Sequence, residues 1–314
     1  MFFGTIGASS EPVVINKEVD LPRVTLERTR KGWHWVTPTL ARMAVMAGLG
    51  GVGTFLYATQ LEPRWTQWRA QTIALDRLPR AFDGYRIILL ADLHLAEGKL
   101  LDRAALQRVI RRINRMQPDM VLIGGDLVSR VDAESLAGIR DLGQLRAHDG
   151  VFGVPGNHDY WTSFEQVQQA VESANVRMLV NESHTVRRGG ASLVIAGVDD
   201  IWEGVPNLDK ALRGVPSDAA VVLMAHESNY ADIAAHDRRV GLQVSGHSHG
   251  GQIRIPWAGP LVLPDMAWHY PMGLYEIKRP DHRLWVYTNR GIGLAEMPVR
   301  FFCRPEVTIF TLRA

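Results

Sequence analysis

The sequence predicts an α/β domain in which buried strands alternate with amphipathic helices. From Tyr85 onward, short apolar runs alternate with segments whose apolar residues recur at helical spacing. The 314 residues are 46% hydrophobic and 22% charged, a balance that is ordinary for a globular protein and argues against disordered, collagen-like and multi-span membrane classes. The length fits one large domain with a short extra segment.

The first half of the domain follows this alternation closely. Residues 86–90 predict a buried strand, and residues 102–116 predict a helix whose start Asp102 can cap. Pro118 ends that helix, because proline cannot continue it. The same pattern predicts further strands at 120–123 and 151–154 and further helices at 133–145 and 164–173.

The second half of the domain is richer in strands. Two of them flank the turn Arg188-Gly189-Gly190, which favours a hairpin. The predicted strands lie at 183–187, 192–196, 221–224, 242–244, 284–288 and 307–312.

A long uncharged stretch precedes the domain. Residues 43–61 contain no charged side chain, and as a helix they would extend about 28 Å at ~1.5 Å per residue, close to the core of a bilayer. Trp33 and Trp35 lie before the stretch and further aromatic residues lie near its far end, as in the aromatic belts of membrane helices. The alternative is a buried, glycine-rich core helix.

We therefore predict a tail at 1–35, a transmembrane anchor at 36–61, a linker at 62–77 and the main domain at 78–314. Five Lys and Arg residues lie in the 20 positions before the uncharged stretch and four lie in the 20 after it, so the positive-inside bias is marginal. The stretch is longer than a signal-peptide core, which favours an uncleaved anchor. We expect a single-pass membrane protein with its main domain outside the cytosol.

Charge and cysteine content exclude several classes of partner and site. The net charge is +2, from 35 Lys and Arg against 33 Asp and Glu, which does not provide the dense phosphate contacts of a dedicated nucleic-acid binder. Neither nucleic acid nor a protein partner is predicted. Cys303 is the only cysteine, so an intramolecular disulfide and any cysteine-rich zinc or iron–sulfur site are excluded. A metal ion would have to be held by His, Asp, Glu or Asn.

Five polar clusters stand directly after, or close to, predicted strands, where open α/β sheets place their ligand sites. Their side chains offer only nitrogen and oxygen donors, which suit divalent manganese, iron, zinc, magnesium or nickel rather than copper(I). Any one cluster alone is most simply explained as a turn, but together they hold enough donors for two ions. The clusters are Asp92-Leu93-His94, Gly124-Gly125-Asp126, Gly156-Asn157-His158-Asp159, Ala225-His226-Glu227 and Gly246-His247-Ser248-His249-Gly250.

The spacing within the clusters supports a shared pocket. In an extended segment, residues two apart point to the same side, so Asp92 and His94 could direct two donors into one pocket. The same applies to His247 and His249. The adjoining glycines would let the backbone turn sharply and approach the ions without a Cβ clash.

The ordered set of clusters resembles the calcineurin-like metallophosphoesterase superfamily, whose pattern D-x-H, G-D, G-N-H-D/E, H and G-H-x-H occurs here in the same order. The resemblance covers about residues 78–312. Residues 246–252 and 298–306 are similar to a bacterial branch whose members often carry an N-terminal anchor or export signal. The resemblance implies a four-layer sandwich, with two mixed β-sheets flanked by helices.

The resemblance also implies a role for each cluster. Two divalent ions, with manganese expected first, would be held by seven ligands, and a hydroxide bridging them would attack phosphorus. His158 would act at the leaving oxygen, and Asp159 would hold the orientation of the His158 ring. The implied ligands are Asp92, His94 and His249 for one ion, Asn157, His226 and His247 for the other, and Asp126 for both.

The implied function is that of a membrane-anchored, dinuclear-metal phosphoesterase, either a phosphodiesterase or a pyrophosphate hydrolase. An anchor that binds the lipid bilayer beside the domain would favour a lipid-linked or nucleotide-linked phosphoester substrate. Three alternatives are a lipid enzyme resembling UDP-2,3-diacylglucosamine hydrolases with a cytosolic active site, a nuclease, and a non-catalytic scaffold. The near-neutral charge disfavours the nuclease, and the complete ligand set disfavours the scaffold.

Two further segments could border the site. Asp199 and Asp200, followed by Trp202, predict a turn that could line the cleft. Trp257 and Trp268 lie in a loop containing proline and glycine, which could cover the ions or enter a membrane.

Overall fold

The computed structural model describes residues 36–96 and 98–314. The chain divides into two units, Met1–Gly50 and Gly51–Ala314. Helix α1 (Val36–Leu56) accounts for the described part of the first unit, and the described strands all belong to the second. The tail predicted at 1–35 lies outside the described residues.

Helix α1 coincides with most of the predicted anchor, and a π-helical segment, Tyr57–Leu61, continues it. In the two described ranges, however, no helix is both long enough and apolar enough to cross a membrane. The structure thus gives no support to the transmembrane anchor predicted at 36–61.

The linker predicted at 62–77 is wrong, because these residues contain a strand of the main domain. A single 3₁₀ turn, Glu62–Arg64, is followed by strand β1 (Gln67–Ala74). Strand β1 pairs in parallel with Glu306–Arg313, and its Ile73 side chain is buried in the core. The pairing joins segments more than 200 residues apart, so the local sequence pattern gave no sign of it.

The first β-sheet consists, in spatial order, of β1, β14 (Glu306–Arg313), β2 (Arg86–Leu90), β3 (Met120–Ile123), β4 (Val151–Gly153) and β5 (Arg177–Met178). Strand β14 is antiparallel to β2. The other neighbours are parallel, so the sheet is mixed, and the carboxyl ends of β2, β3 and β4 meet at one edge.

The second β-sheet consists, in spatial order, of β12 (Gly273–Lys278), β13 (Arg283–Thr288), β9 (Val240–Ser245), β8 (Ala220–Met224), β7 (Ala191–Gly197) and β6 (Glu182–Arg188). It is also mixed, since β12 and β6 run antiparallel to their neighbours and the four central strands are parallel. Strands β6 and β7 form the predicted hairpin, with Gly189 and Gly190 at positive φ. Two short strands, β10 (Arg254–Ile255) and β11 (Gly259–Pro260), pair separately.

The helices of the second unit are α2 (Arg103–Met116), α3 (Ala133–Leu142), α4 (Asn157–Thr162), α5 (Phe164–Ser173), α6 (Leu208–Ala211) and α7 (Ala231–Ala234). Helix α2 begins as predicted, because the Asp102 side chain accepts a hydrogen bond from the Ala105 N–H at 2.7 Å. Its buried face consists of Leu106, Val109, Ile110 and Ile113, at the spacing that predicted the helix.

The two sheets pack face to face with helices on their outer faces. Along β2, Ile87 and Leu89 belong to the core between the sheets, whereas Ile88 and Leu90 pack with α2, α3 and α5. Helices α6 and α7 contribute Ala211 and other small residues to a third core on the outer face of the second sheet. The predicted α/β sandwich of four layers with two mixed sheets is confirmed.

Candidate active site

The polar clusters meet where parallel strands of both sheets end. Asp92, Asp126 and Asn157 follow β2, β3 and β4 of the first sheet, and His226 and His247 follow β8 and β9 of the second. The carboxyl edges of the two sheets therefore face one site. Asp92 and Asn157 are among the side chains buried there.

One group of donors consists of two carboxylates, Asp92 and Asp126, and two imidazoles, His94 and His249. Their ligand atoms all lie within 4.8 Å of one another, as expected for residues that share an ion. The Nε2 atoms of His94 and His249 are 2.9 Å apart. His249 Nε2 is 3.5 Å from an Asp92 oxygen, and His94 Nε2 is 3.5 Å from Oδ2 of Asp126.

The second group of donors contains Asp126, His226 and His247, again within 4.8 Å. Nε2 of His226 is 3.3 Å from Asp126 Oδ2. The Asn157 carbonyl oxygen is 3.1 Å from Nδ1 of His247, so this amide joins the same group. Because Asp126 belongs to both groups, its carboxylate lies between two possible ion positions.

His226 and His247 each use one ring nitrogen in a hydrogen bond to a backbone carbonyl, and this bond decides which ring nitrogen faces the site. The Nδ1–H of His226 donates to the Gly124 carbonyl at 2.7 Å, which leaves Nε2 facing Asp126. The Nε2–H of His247 donates to the carbonyl of Asp265 at 2.7 Å, which leaves Nδ1 facing Asn157. The hydrogen bonds therefore direct Nε2 of His226 and Nδ1 of His247 toward the site.

Three buried polar atoms of the site have no hydrogen-bond partner among the described residues. They are Oδ2 of Asp92, Nε2 of His226 and Nδ1 of His249. Leaving a buried acceptor unsatisfied costs about 1–3 kcal/mol, so a site with three of them is suited to cations. Nitrogen and oxygen donors without a thiolate fit a dinuclear site for divalent ions.

Burial controls the protonation of several donors. It lowers the pKa of His94 to about 3 and that of His247 to about 4, so both imidazoles are neutral and able to ligate. Burial raises the pKa of Asp92 to about 7. Burial would also raise the pKa of Asp126, but His226 and His94 hold it well below its ordinary value. Asp126 is therefore the donor that stays ionised most readily.

The backbone of the D-x-H and H-x-H motifs is not extended, contrary to the prediction. The five donor residues of these motifs and of the G-D motif adopt the left-handed conformation, with φ between 49° and 65° at Asp92, His94, Asp126, His247 and His249. The predicted outcome nevertheless holds, because each pair of donors reaches the same site. The motifs do so through residues at positive φ rather than through strand alternation.

Two glycines allow the backbone to approach the carboxylates. A Cβ at Gly246 would lie 2.6 Å from Oδ2 of Asp92, and a Cβ at Gly156 would overlap Oδ1 of Asp126. Any other residue at either position would displace a donor. These contacts agree with the predicted role of the glycines.

His158 lies beside the donors at the start of α4, and its side chain is partly exposed. Its backbone N–H donates to Asp126 Oδ1 at 2.9 Å. Its ring centroid is 4.6 Å from that of His94 and 4.6 Å from the nearest ring centroid of Trp161. The imidazole therefore lies between the donor groups and an exposed indole.

Asp159 has partners other than the one expected. Its Oδ1 accepts hydrogen bonds from the N–H groups of Leu127 and Val128 at 2.9 and 3.1 Å, and its Oδ2 accepts from Gly156 at 3.0 Å. Within the described part of the chain, no hydrogen bond joins its carboxylate to the His158 ring. Both oxygens are already used by backbone donors, so Asp159 positions the start of α4 rather than the imidazole.

A cleft of about 300 Å³ opens beside the donors. Asp126, Asn157, His158 and His247 contribute to one part of it, and its apolar lining includes Trp161, Trp202, Val262, Pro264 and Met297. Of these apolar residues, Trp202 was named from the sequence, and Val262 and Pro264 belong to the loop between Trp257 and Trp268 that the sequence suggested could cover the ions. Trp161 and Met297 were not candidates, because they carry no donor and lie in separate segments.

The predicted turn after β7 is present. Oδ1 of Asp200 accepts from the N–H groups of Trp202 and Glu203 at 3.0 and 2.7 Å, and Asp199 accepts from the Tyr160 hydroxyl at 2.5 Å. These two carboxylates therefore shape the turn that carries Trp202 to the cleft.

The loop that carries the exposed tryptophans borders the cleft in part. Its Val262 and Pro264 line the cleft, and the carbonyl of Asp265 holds His247. Trp257 is fully exposed and is not part of that lining. Cys303 is buried and its thiol donates to the His249 carbonyl at 3.2 Å.

Comparison with known proteins gives consistent matches. A family model described as calcineurin-like phosphoesterase matches residues 85–251. The chain is 33% identical over 279 residues to the uncharacterized metallophosphoesterase YkuE of Bacillus subtilis, covering 88% of this chain and 94% of that protein. It is 26% identical over 283 residues to phosphodiesterase YaeI of Escherichia coli, covering 89% and 98% of the two chains.

A larger animal protein is also similar. The transmembrane protein with metallophosphoesterase domain of Bos taurus is 33% identical over 258 residues, which cover 77% of this chain. The match spans only 56% of that protein's length.

Proposed function

The chain belongs to the calcineurin-like phosphoesterase family and is a metal-dependent phosphoester hydrolase, and we propose that it is a phosphodiesterase with a dinuclear centre. The observation that carries the proposal is the position of Asp126, whose carboxylate belongs to both donor groups. A carboxylate can bridge two cations, which neutral imidazole and amide ligands do not do. The similarity of 89% of this chain to YaeI, which is named a phosphodiesterase, supports a diester substrate.

The proposed ligands follow the two donor groups. When bound, two divalent ions supply Lewis acidity toward the phosphoryl oxygens and lower the pKa of water. We propose manganese first, with iron, zinc, magnesium and nickel as alternatives that the same donors accept. One ion is assigned to Asp92, His94 and His249, the other to Asn157, His226 and His247, and Asp126 to both.

His158 is proposed to act on the leaving group. Hydrolysis of a diester adds one water, whose oxygen forms the new bond to phosphorus while the bond to the leaving oxygen breaks. The leaving oxygen needs a proton, and a partly exposed imidazole between the donors and the cleft is well placed to give it. Asp159 assists indirectly, because its three backbone hydrogen bonds hold the start of α4.

The test is hydrolysis of bis-p-nitrophenyl phosphate by the manganese-loaded full chain, beside the Asp126→Asn variant. We expect the native protein to cleave the diester and to prefer it over p-nitrophenyl phosphate. The variant should lose at least about 100-fold in kcat/KM, together with bound metal measured by mass spectrometry.

A matched control uses Asp76→Asn, since Asp76 is a half-exposed carboxylate paired with Arg283 at 3.1 Å and is not among the donors. This control should retain activity and metal. Full activity in Asp126→Asn would contradict the dinuclear proposal. Failure of folded, metal-loaded native protein to cleave any diester would favour the non-catalytic scaffold.

A further inference from the structure

The cleft beside the donors has an aromatic wall that is continuous with the site. The nearest ring centroids of Trp161 and Trp202 are 5.4 Å apart in an edge-to-face arrangement. The Trp161 indole packs on His158, and the Trp202 indole lies 5.9 Å from His247. The two indoles therefore border the space beside the donors, where a group attached to phosphorus would lie.

The remaining apolar lining comes from two other loops. Val262 and Pro264 belong to the segment after β11, and Met297 precedes β14. Trp161 and Met297 are about half exposed, at 50% and 54%, although both are large apolar side chains. Exposed apolar side chains grouped around a ligand cleft mark a surface that binds an apolar group.

The lining of the cleft is poor in positive charge. Among the described residues that form it there is no lysine and no arginine, and Glu296 adds a carboxylate. Nucleotides, pyrophosphates and phosphoproteins carry several anionic groups, which proteins usually bind with arginine or lysine side chains. The lining therefore disfavours a substrate with anionic groups beyond the reacting phosphate.

We propose that the cleft binds an uncharged, apolar substituent of a phosphodiester monoanion, an alkyl or aryl alcohol that contacts Trp161 and Trp202. This inference rests on the proposed phosphodiesterase function and specifies its substrate class. A cleft of about 300 Å³ is at the small end of ligand sites, so it encloses the part of the substituent nearest phosphorus. Trp161, Trp202 and Met297 are the specificity-determining residues.

The test compares p-nitrophenyl esters that differ in one substituent only. Methyl p-nitrophenyl phosphate and hexyl p-nitrophenyl phosphate have the same leaving group and the same charge. A fully buried methylene contributes about fourfold to binding, so partial burial of the longer chain should raise kcat/KM by at least about tenfold. Phenyl p-nitrophenyl phosphate gives the corresponding measurement for an aryl group. Whichever of the hexyl and phenyl esters is preferred over the methyl ester shows whether the cleft binds an alkyl or an aryl substituent.

The variant is the double substitution Trp161→Ala with Trp202→Ala, and its readout is the ratio of hexyl to methyl kcat/KM. This ratio should fall to within about twofold of one, whatever happens to the absolute rate. Trp257→Ala is the matched control, because Trp257 is an exposed tryptophan outside the cleft and its loss should leave the native ratio. A native ratio near one, or an unchanged ratio in the double variant, would overturn the proposal.

A binding measurement separates this inference from the proposed activity. Hexylmethylphosphinate and dimethylphosphinate are monoanions with no hydrolysable ester bond, and calorimetric titration measures their Kd directly. The hexyl compound should bind the native protein at least about tenfold more tightly, and the double variant should lose this preference. If no ester is cleaved but the hexyl preference is present, the phosphodiesterase proposal fails and the apolar cleft stands. If both esters are cleaved equally and both phosphinates bind equally, the activity stands and the apolar cleft fails.

Discussion

Several donor residues hold backbone conformations that cost energy. A left-handed conformation at a residue other than glycine costs of order 1–3 kcal/mol and persists only where the surrounding structure requires it. At Asp92 and His94 the requirement is visible, since their N–H groups donate to the carbonyls of Gly125 and Asp126, each at 3.0 Å. The segments after β2 and β3 thus support each other, and these backbone hydrogen bonds position Asp92 and His94.

The position of Asp159 leads to a prediction at the scale of one residue. Asp159→Ala removes the acceptor of three backbone N–H groups and should lower the free energy of unfolding by at least about 3 kcal/mol. Asp159→Asn retains a carbonyl for Leu127 and Val128 and should cost about 1–3 kcal/mol. Urea unfolding of both variants measures these losses.

A pH profile of kcat distinguishes this role from the one that the sequence predicted. If Asp159 held the His158 ring, Asp159→Asn would shift the pH profile and leave stability unchanged. Since Asp159 holds the backbone at Gly156, we expect a profile of unchanged shape with a lower maximum.

The donors could be predicted from the sequence because each lies in a short motif that needs no knowledge of distant residues. Asp92 and His94, for example, are two positions apart and follow an apolar run. The cleft lining could not be predicted in this way. Trp161, Val262 and Met297 come from three separate segments, and only the folded chain brings them to one cleft.

Elements with a regular apolar pattern were predictable, and elements stabilised from a distance were not. Helix α2 was predicted in full, because four buried residues recur at helical spacing behind a capping aspartate. Strand β1 was missed, because its burial alternates weakly and its partner is β14. Helix α4 was not predicted, since its six residues are too few for a periodic pattern.

A buried arginine connects the segment before β14 to the site. The Arg300 guanidinium is fully buried and donates to four backbone carbonyls, among them Arg290 at 2.8 Å and Gly293 at 2.8 Å. The Gly293 N–H in turn donates to the Asp92 carbonyl at 2.8 Å. Arg300 therefore supports the segment that carries Asp92. This contact gives a structural role to residues 298–306, whose similarity to the bacterial branch was noted in the sequence.

Strand β1 gives a prediction at the scale of an element. Ile73→Ala should lower the free energy of unfolding by about 2–5 kcal/mol, because Ile73 is buried between the sheets. A flexible linker would tolerate the change. Thr72→Ala, at an exposed position of the same strand, is the control and should change stability by less than about 0.5 kcal/mol. Equal urea midpoints for Ile73→Ala and the native chain would contradict the assignment of β1 to the core.

At the scale of the whole molecule, the donor groups join the two sheets. Asp92 and Asp126 come from the first sheet, whereas His226, His247 and His249 come from the second. Between the sheets lies an apolar core to which both contribute, including Leu89 and Val222. Bound ions would therefore connect the two halves of the sandwich at one edge.

Removal of metal should lower thermal stability as well as activity. At a free metal concentration of 100 times Kd, binding stabilises the folded state by about 2.7 kcal/mol, which corresponds to a Tm difference of roughly 5 °C for a domain of this size. Calorimetry with and without a chelator measures the difference, and added manganese should restore the higher Tm. Asp126→Asn should be insensitive to the chelator. A native Tm that does not respond to chelation would argue against ions bound at these donors.

The order of strands in the first sheet has a consequence for biosynthesis. Strand β14 lies between β1 and β2, but it is translated more than 200 residues after β2. At about 5–20 residues per second, the ribosome needs roughly 10–40 s for that interval. Throughout this time β1 and β2 of the nascent chain each lack their partner β14, and unpaired strand edges pair readily with other chains. The interval of greatest risk of aggregation is therefore set by translation, and it closes when β14 leaves the ribosome.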